Sequence, residues 1–276
     1  MISKDRYGPW ALIAGGSEGI GGAFAEEIAR AGINLVLLAR RAEPLEEIAE
    51  RIREQSGVEV CTLALDLTAA DMLDRIRSVT DPLEVGLLVY NAGADNGFDA
   101  FLDRKLEDCL RLIRLNAIGQ VSCAHHFGQG MAARGRGAIM VVGAMSAYAG
   151  APSHVTYGSC KSFALTFCEG LWWELKGKGV DVVYVSAGAT ATPAMDRLGI
   201  NDDPDRYQLS DDLAQGALAN VDNGPLYVPP HLRPLFERLQ IIDRGEATQR
   251  MADFLHSYTK APTLAAGGAR PFDSPA

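Results

Sequence analysis

The sequence predicts a doubly wound α/β fold, a parallel sheet with helices on both faces, in a single domain. Three observations predict it. Short apolar runs alternate with longer amphipathic segments over the first 190 residues. The runs are apolar at successive positions, as strands buried on both faces require. A glycine-rich turn joins the first run to the segment behind it, and neither a linker nor an internal repeat divides this stretch.

Taken in order, "WALIAGG" (10–16) reads as a buried strand ending in glycines, and "GIGGAFAEEIARAG" (19–32) as the helix that follows. "NLVLLAR" (34–40) is the second strand and "AEPLEEIAERIREQSG" (42–57) the second helix. "EVCTLALDL" (59–67), "VGLLVYNAG" (85–93), "GAIMVVGAM" (137–145) and "DVVYVSAG" (181–188) supply four more strands with helical patterns between them, and "LYVPP" (226–230) a last edge strand. After Thr192 the chain turns polar and acidic, and 193–225 is expected to be a loop or lid over the substrate. Helical spacing returns over 231–260, which completes a catalytic domain of residues 1–260. The Gly, Pro and Ala-rich tail 261–276 is expected to be disordered.

Composition narrows the function. A net charge of -9 argues against nucleic acid as the main partner, while leaving room for a local basic pocket around one phosphorylated cofactor. The five cysteines have no metal-ligand spacing and are odd in number, so they read as reduced core thiols and no metal is expected. The N-terminal apolar run is short and ends in a glycine turn, unlike a signal peptide, and no stretch is long enough to span a bilayer. The expected location is the cytoplasm.

The turn "AGGSEGIG" (14–21) lies between a strand and a helix, where a glycine pattern is informative. Gly15 permits the turn, Gly19 lets backbone approach a pyrophosphate, and Gly21 allows close packing of helix on strand. Ser17 and Ile20 belong to the same candidate contact surface. The helix N-terminus then presents N–H groups and a positive dipole end to the phosphates. At the end of the second strand, a carboxylate would hold the ribose 2′-hydroxyl of NAD. The sequence instead has Ala39, Arg40 and Arg41, and arginine there accommodates the 2′-phosphate of NADP. NADP is expected, with NAD as the alternative; Glu18 would oppose the phosphate if it pointed inward.

These motifs, with others downstream, resemble the short-chain dehydrogenase/reductase family over residues 8–230. The matching residues are "GGSEGIG"; "LDL" with Asp66; "YNAG" with Asn91, Ala92 and Gly93; "LNAIG" with Asn116; "YGSCK" with Tyr157 and Lys161; and "AGATATP" with Gly188 and Thr192. The resemblance implies a Rossmann-type domain. It implies that Asp66 bonds the adenine amino group beside Leu67, that Asn91, Ala92 and Gly93 wall the adenine ribose, and that Thr192 holds the nicotinamide carboxamide near Gly188 and Thr190. It also implies a homodimer or homotetramer. Ala14, Tyr90 and Ala187 depart from the family's usual threonine, asparagine and proline.

Tyr157 and Lys161 stand four residues apart, on one face of a helix. A phenol near pKa ~10 is a reluctant base at neutral pH, and a nearby ammonium favours the phenolate. In the family, the tyrosine exchanges a proton with the substrate oxygen, the lysine also grips the cofactor ribose, and Asn116 holds a water that completes a proton relay. A family serine thirteen residues before the tyrosine polarises the carbonyl. Here that position is Ala144, and Ser146 lies eleven before. Ser146 could reach the same spot, Tyr148 or His154 could replace it, or the donor could be missing. Losing such a donor costs ~10²–10³ in rate. His125, His126, Cys160, Trp172 and Trp173 read as packing or interface residues.

The expected function is an NADP-dependent oxidoreductase interconverting a ketone or aldehyde and an alcohol. Met145, Met195 and Leu198 would make the substrate pocket fairly apolar. The competing readings are a cofactor-binding regulator and a non-redox member of the family.

Overall fold

A computed structural model describes residues 2–93, 95, 97–197, 199 and 207–259. Leu198 and the expected tail 261–276 lie outside the described residues. The sheet has seven parallel strands: β1 (Trp10–Ala14), β2 (Asn34–Ala39), β3 (Val60–Ala64), β4 (Val85–Tyr90), β5 (Gly137–Val142), β6 (Val180–Val185) and the short edge strand β7 (Leu226–Tyr227). Their order is β3-β2-β1-β4-β5-β6-β7. The order reverses between β1 and β4, which pair directly through Leu12 and Leu88. Every strand is shorter at its C-terminal end than its apolar run, because the last residues leave the sheet to build loops.

Among the described residues, eleven α-helices surround the sheet: α1 (Lys4–Tyr7), α2 (Gly19–Arg30), α3 (Ala42–Ser56), α4 (Met72–Thr80), α5 (Leu106–Ile113), α6 (Gly119–Arg134), α7 (Val155–Lys176), α8 (Pro193–Arg197), α9 (Ser210–Ala219), α10 (Arg233–Ile241) and α11 (Arg244–Thr259). Side chains of successive strand residues point to opposite faces. Ile13, Leu35 and Leu37 therefore join Phe24 and Ile28 of α2, Leu45 and Ile48 of α3, and Leu213 and Ala217 of α9. Leu12, Val36 and Leu38 join Ile76 of α4, Phe127 of α6, and Cys168 of α7 on the other face. Each such large side chain contributes about 1.5–3 kcal/mol by burial. A third cluster gathers Met145, Tyr148, Val228, Leu232, Leu239 and Met251, and brings the C-terminal helices against the β5 end of the sheet.

The 193–225 segment is not one loop. Its base is clasped by the bridge between Thr190 and Gln208, with Ala191 N–H bonded to Gln208 O at 2.9 Å. α8 stands beyond that bridge at the sheet's C-terminal edge. α9, by contrast, is a core helix packed on α2, since its apolar residues Leu213, Ala214, Ala217 and Leu218 fall at helical spacing and are buried. His126 packs edge-on against Phe127 and lies 3.5 Å from Asp81, far along α6 from the sheet's C-terminal edge.

Candidate active site

Parallel strands whose order reverses leave a crevice beyond their C-terminal ends, because the loops of β1 and β4 diverge to opposite faces. Here that crevice is a cavity of about 730 Å³. It is lined by Gly15, Ser17, Gly19 and Ile20 of the first turn, Arg40 and Arg41 after β2, and Asp66 and Leu67 after β3. Asn91, Ala92 and Gly93 after β4, Ser146 after β5, Tyr157 and Lys161 of α7, and Gly188, Thr190 and Thr192 after β6 complete this set. Asn116 and Gly21 stand behind the wall.

The glycine turn is fixed by the neighbouring strand. Asn91 Nδ2 donates to Gly15 O at 3.0 Å, and the N–H groups of Asn91 and Ala92 donate to Ala14 O at 3.0 and 2.8 Å. A Cβ on Gly21 would lie 1.9 Å from Gly15 O, so only glycine lets α2 start this close to β1. The N-cap of α2, Glu18, makes no side-chain cap, and the helix dipole is left to act on the cavity. Asp66 accepts the Thr68 N–H and hydroxyl on one oxygen, at 2.9 and 2.8 Å. Burial alone would raise its pKa; the Thr68 bonds and the charges of Arg111 and Arg40 outweigh it and hold the carboxyl below its usual range. The Thr192 hydroxyl accepts the Met195 N–H at 3.3 Å, which starts α8, and Thr190 donates to Gly188 O at 3.1 Å.

Lys161 is 5% exposed, and its ammonium donates to Val142 O at 3.0 Å while standing 5.3 Å from the centre of the Tyr157 ring. Burial pushes its pKa down to about 8. Burial likewise raises the Tyr157 phenol well above 10, helped by the charge of Asp95 and by Cys160. In the protein by itself, then, burial dominates both groups, and the ammonium does not bring the phenol down as the spacing alone led us to expect. Asn116 sits in a π-helical turn, Arg114–Ile118, whose irregular ladder leaves Leu115 O to accept the Tyr90 hydroxyl at 2.6 Å. Tyr90 thus has a definite task where the family has asparagine. Asn116 Nδ2 donates to Leu112 O at 3.0 Å, and its buried Oδ1 has no hydrogen-bond partner among the described residues. A Cβ on Gly93 would lie 2.3 Å from that Oδ1 and 2.9 Å from Lys161 Nζ, so all three groups converge.

After β5 the chain turns sharply into a single 3₁₀ turn, Met145–Ala147, which places Ser146 against α7. A Cβ on Gly158, the residue after Tyr157, would lie 3.2 Å from Ser146 O. Ser146 is buried, lines the cavity, and its Oγ has no hydrogen-bond partner among the described residues. The Tyr148 hydroxyl is engaged elsewhere, 2.5 Å from Ser186 Oγ, and its ring packs on Phe236. His154 does line the cavity, its ring 5.4 Å from that of Tyr157 and 5.2 Å from that of Phe98, with burial holding its pKa below the usual value.

Sequence reasoning did not single out Asp95, Phe98, Arg111, Arg197, Phe254 and Leu255, which also line the cavity. Asp95 and Arg104 form a buried ion pair, with Arg104 Nη1 2.8 Å from Asp95 Oδ2, below the substrate end. Phe254 and Leu255 come from α11, whose helical spacing was legible but whose docking on the cavity carries no local signal. Met145 and Met195 line the cavity as expected. Among the described residues no group of three or more His, Cys, Asp or Glu could hold a metal ion, and no helix is long and apolar enough to cross a membrane.

The residues fit a nicotinamide dinucleotide. A helix N-terminus and a glycine cradle suit its phosphates, while a buried ammonium with a single acceptor and an orphaned amide oxygen sit where polar partners are needed.

The family model for short chain dehydrogenase matches residues 9–203. A 7beta-hydroxysteroid dehydrogenase of Collinsella aerofaciens is 34% identical over 195 residues, covering 71% of this chain and 74% of the relative. A solved 7beta-hydroxysteroid dehydrogenase superposes with a TM-score of 0.83 at 28% identity, over 91% of this chain and 99% of the other. A short-chain dehydrogenase from Sphingobium yanoikuyae in complex with NADPH gives 0.74 at 32% identity, over 88% and 99%. With fold, crevice and sequence all in agreement, this chain belongs to the short-chain dehydrogenase/reductase family of NAD(P)-dependent enzymes.

Proposed function

We propose that this enzyme is an NADP-dependent reductase of bulky, fairly apolar ketones, working reversibly as a dehydrogenase on the secondary alcohol. The observation that carries the reading is one cavity lined both by the glycine turn and by Tyr157, Lys161 and Ser146, whose Oγ has no hydrogen-bond partner among the described residues. Arg40 and Arg41 favour a 2′-phosphate at the adenosine end. Phe98, Met145, Met195, Phe254 and Leu255 give the far end its apolar character.

A bound nicotinamide supplies or accepts the hydride. Tyr157 gives its phenolic proton to the carbonyl oxygen, a role that suits a phenol kept protonated by burial. Ser146 Oγ donates a second hydrogen bond to the same oxygen and stabilises charge that develops there. Lys161 holds the cofactor ribose and shares its proton with a water on Asn116 Oδ1, which restores the phenol. In the alcohol-oxidising direction the positive nicotinamide favours the phenolate.

The enzyme acts as a homodimer or homotetramer in the cytoplasm. Leu106, Leu110 and Ile113 form an exposed stripe at i, i+4 and i+7 on α5, and Val155 and Phe163 are exposed on α7, which packs against α5. The five thiols are unpaired, which suits a reducing compartment.

Titration of the protein with NADPH and NADH by fluorescence, followed by a ketone panel at the nicotinamide absorbance band, tests the reading. NADPH should bind more tightly, and turnover should vanish in Tyr157→Phe with NADPH binding retained. Tight binding without turnover on any bulky ketone would overturn it and leave a cofactor-binding regulator.

A further inference from the structure

Glu18 is an acid in the turn that receives phosphates, and its side chain does not cap α2. Its Oε2 accepts from Arg41 Nη2 at 2.6 Å and from Arg197 Nη1 at 3.1 Å, while Oε1 accepts from Arg197 Nη2. Arg197 therefore grips the carboxylate with both nitrogens. The two arginines approach from different sides of the cavity. Arg41 is the N-cap of α3, just past the end of β2, and Arg197 ends α8. All three residues line the cavity.

The same carboxylate thus ties the arm that reads the adenosine end to the short helix beside the substrate end. The entry to α8 already leans on the turn, since a Cβ on Gly19 would lie 2.9 Å from Cγ2 of Thr192, the residue before the helix, and 3.8 Å from Pro193 Cδ. Glu18 is only partly exposed, and the bond from Arg197, against some cost of burial and with the charge of Arg41 added, keeps it ionised below the usual carboxylate range. Arg40 makes no ion pair of this kind among the described residues. A 2′-phosphate carries close to two negative charges and is a stronger ligand for Arg41 than a carboxylate shared with another guanidinium.

We infer that Glu18 is a charge-operated latch: it joins Arg41 and Arg197 across the cavity mouth, and a 2′-phosphorylated cofactor draws Arg41 away and leaves the carboxylate to Arg197 and α8. The inference rests on the NADP reading above. Two consequences follow from electrostatics. Glu18 competes with the phosphate for Arg41, so it weakens the preference for NADP that the arginines create. Once Arg41 leaves, the undivided carboxylate holds α8 more firmly, so the adenosine end reports its occupancy to the substrate end.

The test uses adenosine 2′,5′-bisphosphate and adenosine 5′-monophosphate, which carry no nicotinamide, on the full chain. Affinities are measured by calorimetry for the wild type, Glu18→Gln and Arg197→Gln, and amide exchange is followed in the 192–197 peptide. The wild type should prefer the bisphosphate, and Glu18→Gln should sharpen that preference by about three- to tenfold. The bisphosphate should slow exchange at 192–197 in the wild type and not in Glu18→Gln or Arg197→Gln. A preference that stands unchanged in Glu18→Gln, or protection that persists in it, overturns the latch alone. A wild type without preference for the bisphosphate overturns the NADP reading and the latch with it.

Discussion

The Tyr184 hydroxyl accepts the Ala144 N–H at 2.9 Å and donates to the Ala144 carbonyl at 3.1 Å. This bracket satisfies both backbone groups of the residue where β5 has ended and the ladder offers no partner. It fixes the direction in which the chain enters the 3₁₀ turn, and so the placement of Ser146. Tyr184→Phe should cost about 1–2 kcal/mol of stability by stranding the Ala144 N–H, while Ala144 O keeps the Ala147 N–H at 3.1 Å. It should also lower kcat, because the serine loses its fixed geometry. Thermal melts and steady-state ketone reduction on the same preparation check both.

Ser146 and Tyr148 should separate cleanly. Ser146→Ala removes a hydroxyl with no structural partner, so stability should hold while kcat falls by roughly 10². Tyr148→Phe leaves Ser186 without its bond in a buried position, so it should lose about 1 kcal/mol and keep kcat within about a factor of two. The reverse pattern would transfer the polarising role to Tyr148.

Lys161 should be a liability for stability and a necessity for turnover. Its folded pKa of about 8 lies below its ordinary 10.5, so between those values the unfolded chain holds more proton and stability rises with pH. Below pH ~8 the full cost of the buried charge is present. Lys161→Met should therefore stabilise the cofactor-free protein at pH 7 by about 2 kcal/mol, net of the bond lost to Val142. That gain should shrink as pH climbs toward 10, while ketone reduction is lost at every pH. Denaturant melts across pH 7–10 would show it; a gain independent of pH would mean that the cost is steric.

Gly93→Ala should disable the proton path without touching a reacting group. Its Cβ would displace Asn116 Oδ1 and Lys161 Nζ, and the φ of 157° adds backbone strain. A displacement of about 1 Å at this point should cost on the order of 10² in kcat. Steady-state ketone reduction checks it, with a thermal melt to show that the fold is retained.

The layered fold was legible because each strand is apolar on both faces and each intervening helix is amphipathic. These are properties of single segments. The phosphate turn was legible for the same reason, since strand, glycines and helix are contiguous. Ser146 was singled out as a candidate, but its placement against α7 was not legible, because residue spacing measures distance along the chain and the 3₁₀ turn after Ala144 alters how far the chain advances per residue. α9 was hidden in a polar stretch, its burial decided by α2 rather than by its surroundings in sequence. The Glu18–Arg197 pair joins residues 179 apart and has no local trace at all.

The wall formed by Phe254 and Leu255 lies beyond residue 203, where the match to the family model stops. Under the proposed function, proton transfer is assembled from the first two hundred residues, whereas part of the substrate wall comes from a helix that follows them. The two parts interlock, since Met145 and Tyr148 after β5 share one core cluster with Leu239 and Met251 of the later helices. Trimming Phe254, which lines the cavity but lies outside the buried members of that cluster, is therefore the route to changing which ketones are accepted with least disturbance of Ser146.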